Sequence, residues 1–118
     1  MIQISRVNLA MKTLDISETL VKAMEYIEGD SIEGKLFQLL INDLKSRLQS
    51  CSERIVEYEA KYGYEFPDFQ QAWRQGEIEN PHSHEIESDF MEWESLIEER
   101  KFLLTQLKKM SEKDLLSD

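Results

Sequence analysis

Between Phe37 and Tyr62 the apolar and aromatic residues fall in unbroken steps of four and three: Phe37, Ile41, Leu44, Leu48, Cys51, Ile55, Tyr58 and Tyr62. A stripe that repeats every 3.5 residues belongs to a helix packed lengthwise against another helix. A helix of about 30 residues is about 45 Å long at 1.5 Å per residue. The chain must therefore supply, or recruit, a facing element of similar length. A candidate lies downstream, where Ile86, Phe90, Trp93, Ile97, Leu104 and Leu107 form a second seam interrupted by Arg100. Equal lengths and facing seams predict an antiparallel helical hairpin. Leu36, Leu39 and Leu40 widen the first seam only in its opening turns, so that end is expected to be buried on more than one side.

Punctuation residues divide the rest. Gly63 stops the first long helix. Pro67 and Gly76 bracket a short helix over 67–75. Asn80-Pro81 reads as N-cap and first position of the last helix, expected to run to about Met110, with "SEKDLLSD" fraying after it. Upstream, "MKTLDIS" (11–17) alternates, with Leu14 and Ile16 on one side and Thr13 and Asp15 on the other. Residues 2–9 alternate more loosely, through Ile2 and Ile4, and either extend this strand or fray. Ser17 is an N-cap for a helix over 18–28 with the apolar face Leu20, Met24 and Ile27. Gly29 ends that helix, and Asp30 or Ser31 caps the next. The expected fold is mainly α: one short N-terminal strand, then helices. A lone strand leaves backbone donors and acceptors unpaired. The simplest partner is the same strand of a second chain, which gives a dimer with an intermolecular ribbon.

Charge separates two parts. Residues 1–50 carry six basic and seven acidic side chains; residues 51–118 carry eight and seventeen, within a net charge of −10. An acidic half does not bind nucleic acid unaided, because phosphate contacts need Lys and Arg. It suits a basic protein partner. Cys51 is the sole cysteine, which excludes an intrachain disulfide and a multi-cysteine zinc cluster. A reducing cytoplasm follows as the expected location. The first ten residues lack the pattern of a signal peptide, and no apolar run approaches the ~18 residues of a membrane span.

The stretch "GEIENPHSHEIESDFMEWE" (76–94) concentrates carboxylates and both histidines, with no Lys or Arg. His82 and His84 are two apart and point to opposite sides of a helix. His84-Glu85 begins a zinc-protease pattern, but Ser88 stands where its second histidine belongs. Glu79 and His82 have a di-iron spacing that Asn80-Pro81 interrupts. No metal, cofactor or catalytic set emerges, and the chain reads as a non-enzyme. Glu85, Glu87 and Asp89 suit the positive end of a helix dipole. Yet Glu85, Asp89 and Glu92 form a like-charged column whose pairs cost a few tenths of a kcal/mol each. That column is either a solvated face or a docking face for a basic partner. Eight of the eleven aromatics lie between Tyr58 and Trp93. The expected reading is a small core where the short helix caps the hairpin's end; the alternative is that Tyr64, Phe66 or Trp73 are exposed anchors.

Residues 11–48, "MKTLDISETLVKAMEYIEGDSIEGKLFQLLINDLKSRL", resemble a ribbon-helix-helix module, the DNA-binding part of many small prokaryotic repressors and antitoxins. The likeness implies a two-chain ribbon with Leu14 and Ile16 inward, and Phe37, Ile41 and Leu44 in the dimer interface. It implies Lys12 and Thr13 on or near the base-reading face and Ser31 where backbone N–H groups hold a phosphate. Asp15, Asp30 and Glu33 depart from the pattern and oppose DNA, so binding is expected to be weak or absent. Residues 50–110 look like the C-terminal part of small prokaryotic antitoxin-like proteins. The domains are then a dimerisation module over 1–48 and an acidic helical hairpin over 49–118, continuous with it. The expected function is that of an antitoxin-like protein: a homodimer or higher assembly that binds a basic toxin through Tyr64, Trp73, Glu85, Asp89 and Glu92. The alternative is a homodimeric helical structural or adaptor protein that binds no DNA.

Overall fold

The computed structural model describes residues 4–9 and 12–116, and the protein is mainly helical. In chain order come β1 (Ile4–Leu9), β2 (Lys12–Ser17), α1 (Glu18–Ala23), a 3-10 turn (Met24–Tyr26), α2 (Ile32–Tyr62), α3 (Phe66–Arg74) and α4 (His84–Leu116). The chain divides into two compact units, Met1–Asp43 and Leu44–Asp118.

In the first unit, β1 and β2 pair antiparallel, with Ile4 opposite Ser17, Val7 opposite Leu14 and Leu9 opposite Lys12. This corrects the expectation of a lone strand. Residues 4–9, read as an extension or a frayed end, are the second strand. They satisfy the backbone of β2 on one edge within the chain, so no ribbon between chains is needed there. Ile16 is buried inside its own chain. The side chains of Lys12 and Leu14 lie outside the described residues. β2 runs straight into α1 because Ser17 caps it, its Oγ accepting from the Leu20 N–H at 3.3 Å. The first helix ends sooner than expected: Ile27 N–H donates to the Met24 carbonyl at 3.0 Å and tightens the chain into the 3-10 turn. Of the two candidate caps for α2, Ser31 is used, its Oγ accepting from the Gly34 N–H at 3.0 Å.

The second unit is built on the aromatic cluster. α2 stops at Gly63, whose φ of 74° is the left-handed conformation that favours glycine. Its N–H donates back to the Glu59 carbonyl at 2.8 Å. α3 starts with Pro67 in its first turn and buries Phe66, Phe69 and Ala72. Glu77 N–H reaches the Ala72 carbonyl and Gly76 N–H the Trp73 carbonyl, which closes its C-terminus. α4 begins later than Asn80-Pro81 predicts. Asn80 takes φ 48°, and Ser83 N–H donates to its carbonyl at 3.0 Å, so these residues form a turn. Ser83 is the cap instead, its Oγ accepting from the Ile86 N–H at 3.3 Å. The helix continues through the expected frayed tail to Leu116.

The seam of α4 also differs from its reading. Ile86, Asp89, Trp93, Leu96, Arg100, Leu103, Leu107 and Met110 are all buried or half-buried. Their steps are three and four throughout, the same heptad as α2. Leu103 is 3% exposed and Leu104 is 50% exposed. Charged residues at two seam positions, Asp89 and Arg100, hid the true register. Phe90 and Ile97, one position over, suggested the wrong one because they too pack against the core. Phe90 does so through α3, where it meets Phe66, Phe69 and Trp73. Leu104 has no such cover.

Candidate functional site

Trp93 and Phe69 are fully buried and organise the second unit. Trp93 stacks on Tyr58 and Tyr62 at 5.6 and 5.9 Å between ring centroids, and meets Phe66 and Phe69 at 5.2 and 5.0 Å. Such offset and tilted pairs add to the area they bury. The indole N–H of Trp93 is buried with no acceptor among the described residues. Cys51 sits deeper along the seam, its thiol donating to the Leu96 carbonyl at 3.1 Å. Burial pushes that thiol up from its usual range, as for a cysteine packed in an apolar seam.

The proposed docking column lies beside this core, and two cations of α2 reach it. Lys61 Nζ donates to Glu85 at 2.8 Å and to Asp89 at 2.6 Å. Arg54 donates to Glu92 at 2.8 and 3.4 Å, to Glu57 at 2.6 Å and to the Tyr58 hydroxyl at 3.1 Å. Tyr62 donates its hydroxyl to Asp89 at 2.5 Å. Arg54 also lies over the Tyr58 ring, and Lys61 over the Tyr62 ring. The column is therefore an internal ion-pair ladder. In sequence no basic residue stands between Arg74 and Arg100, but in space Arg54 and Lys61 interleave with the carboxylates. The repulsion that called for an outside partner is relieved within the chain.

The titration shifts record the same geometry. Asp89 feels burial that raises its carboxyl, but the Lys61 ammonium and Tyr62 hydroxyl outweigh it and hold it below the usual carboxylate range. Glu92 is held down by Arg54 and then by the Tyr58 hydroxyl. Burial, followed by the neighbouring carboxylates, pushes Tyr58 and Tyr62 up to about 12. Arg54 and Lys61 are raised by their carboxylate partners.

Arg54 and Lys61 are the residues that pattern reading passed over. A signal for them existed. Arg54 precedes Ile55 and Lys61 precedes Tyr62, while Glu85 precedes Ile86 and Glu92 precedes Trp93. Opposite charges flanking two heptad seams are the positions that bridge paired helices.

The remaining candidates are placed as follows. Tyr64 and Trp73 are half-buried. Tyr64 lies edge-on to Phe69, and Trp73 packs on Phe69 and Phe90 with His82 against its edge. Both contribute to the core and keep part of their rings at the surface. His82 Nδ1 is 3.0 Å from Glu87. Among the described residues no three His, Cys, Asp or Glu side chains converge as a metal site. Thr13 and Ser31 are exposed, and Ser31 is engaged as a cap. Phe37, Ile41 and Leu44 are half-buried, and Leu44 packs against the second unit's core. No described helix is long and apolar enough to cross a membrane. No family model, curated protein or solved structure matches this chain.

Proposed function

We propose that the chain is an antitoxin-like protein-binding module. In this reading the first unit self-associates, and the second is a rigid acidic scaffold for a basic protein partner. The two long helices form an antiparallel hairpin within the second unit. What supports the hairpin is the order of contacts: partners descend along α4 through Leu96, Glu92 and Asp89 as they ascend along α2 through Cys51, Arg54 and Lys61.

One observation carries the binding reading. Once Arg54 and Lys61 have taken Glu85, Asp89 and Glu92, carboxylates remain on α3 and its connections: Glu65, Asp68, Glu77 and Glu79. None of them makes an ion pair among the described residues. In sequence they stand close to Tyr64 and Trp73, whose rings are half-buried. Acidic groups without an internal counter-charge, beside aromatic anchors, fit a basic surface. They favour fast, salt-sensitive association. The ladder contributes the open side of Glu85 and otherwise braces the scaffold.

The test is binding to a basic protein encoded beside this one. Changing Glu65, Asp68, Glu77 and Glu79 to their amides should slow association and flatten its salt dependence, with thermal stability unchanged. Equal affinity for wild type and variant rules the surface out. A second reading, an adaptor that binds no DNA, is favoured by the pairing of β2 with β1 inside one chain. Tight duplex binding at physiological salt would eliminate it.

A further inference from the structure

The seam of α4 holds one residue that its packing does not explain. Arg100 stands between Leu96 and Leu103, where the spacing calls for an apolar side chain. It is half-buried. Its guanidinium makes no ion pair or hydrogen bond among the described residues. Asp89, the other charge on this seam, differs in that it takes Lys61 and Tyr62. A partly desolvated charge without a counter-charge costs stability. Positions that break the local pattern with no gain inside the fold are where functional residues stand.

Arg100 lines a groove of about 490 Å³ between the start of α3 and α4. That volume lies within the range of small-molecule sites. Phe66, Pro67 and Ile97 supply its apolar wall. The other cation on the wall, Lys101, is paired: its Nζ lies 3.6 Å from Glu98, and both side chains are largely exposed. Glu94 is exposed too. Of the four charged side chains that line the groove, only Arg100 is half-buried.

The occupant follows from charge and size. A guanidinium presents N–H donors in a fork that matches a carboxylate. Residues 51–118 carry seventeen acidic and eight basic side chains. A nucleic acid or an acidic protein surface brings many negative charges within a Debye length of that surplus, about 8 Å in physiological salt, and is repelled. A small monoanion brings one charge and sets it on the one guanidinium. We propose that the groove binds a small amphipathic monoanion, with its apolar body on Phe66, Pro67 and Ile97 and its carboxylate on Arg100. The proposal is independent of the protein-binding reading: it stands whether or not Glu65, Asp68, Glu77 and Glu79 hold a basic partner.

Isothermal titration calorimetry on the full chain at pH 7 tests it, with octanoate as the probe and 1-octanol as its uncharged counterpart. Octanoate should bind at one per chain and at least about tenfold more tightly than octanol, a difference of about 1.4 kcal/mol. Arg100→Leu should remove that preference, so that the two probes bind alike. It should also raise the melting temperature by a few degrees, because leucine suits the seam. If the leucine variant aggregates, Arg100→Gln decides the preference in its place. Ile97→Glu should abolish binding of both probes. Phe102→Glu, exposed and outside the groove, should change neither. A wild type that binds no octanoate, or binds octanoate and octanol equally, overturns the proposal. Octanoate binding unchanged in Arg100→Leu places the ligand elsewhere and overturns it too. A peptide of leucine and glutamate that binds more tightly than octanoate, and loses its affinity in Arg100→Leu, assigns the groove to an acidic protein segment and overturns the small ligand. Self-association in light scattering that Arg100→Leu abolishes does the same in favour of a second copy.

Discussion

The two ends of α2 carry the same heptad seam and meet different fates. At Cys51, Ile55 and Tyr58 the seam is 1–4% exposed and lies under α3 and α4 residues. At Phe37 and Ile41 it is only half-buried, and Leu39 and Leu40 beside it are exposed rather than buried on a second side. The residues are no more polar at one end than at the other. Periodicity marks which face of a helix is built for burial. It does not supply the surface that buries it, and that surface comes only where the rest of the chain brings one.

The contrast is broken most sharply by cutting into the covered end. Phe69→Ala or Trp93→Ala should destabilise the second unit by about 3–5 kcal/mol, the usual range for removing a buried aromatic ring. Urea unfolding followed by far-UV circular dichroism measures this. A loss below about 1 kcal/mol would mean that the aromatic cluster does not hold the unit together.

A finer cut tests the α4 register. Leu103→Ala should cost about 2–5 kcal/mol, and Leu104→Ala no more than about 0.5. The reverse order would restore the register read from Phe90, Ile97 and Leu104. Equal losses would mean that the helix samples both.

The smallest effects are those of the ladder, and they sharpen the comparison because the ladder runs along the covered end. Tyr58 and Tyr62 have their pKa raised to about 12 by burial and by the carboxylates beside them. Their contribution to stability is complete below the ordinary tyrosine value near 10 and is lost as pH rises through about 12. Asp89 and Glu92 are shifted down, so their contribution holds above the ordinary carboxylate range and is lost as pH falls below it. Asp89→Asn should flatten the acid limb, bring Tyr62 back towards its ordinary value in a tyrosinate absorbance titration and lower the melting temperature by a few degrees. A rise in melting temperature would mean that carboxylate repulsion, not pairing with Lys61, dominates the column.

Local chemistry made much of the architecture legible. Ser17 and Ser31 are caps because their hydroxyls accept from backbone N–H groups that a helix start cannot otherwise satisfy. Gly63 and Pro67 punctuate because their backbones permit, or exclude, specific φ values. The α2 seam follows from a 3.5-residue spacing that needs no knowledge of its partner. All of these depend on residues a few positions apart, so the sequence by itself determined them. Three features depended on contacts far along the chain. β2 finds β1 because backbone groups must be paired and residues 4–9 are within reach, although their own alternation is loose. Leu103 is chosen over Leu104 because it stands on the α4 seam that packs into the core, while Leu104 lies one position off it and is exposed. The repulsion within the acidic column is relieved because Arg54 and Lys61, 38 and 28 positions away from Glu92 and Asp89, fall between its carboxylates when the helices pack. Coulomb attraction acts on distance in space, and only the tertiary structure set that distance.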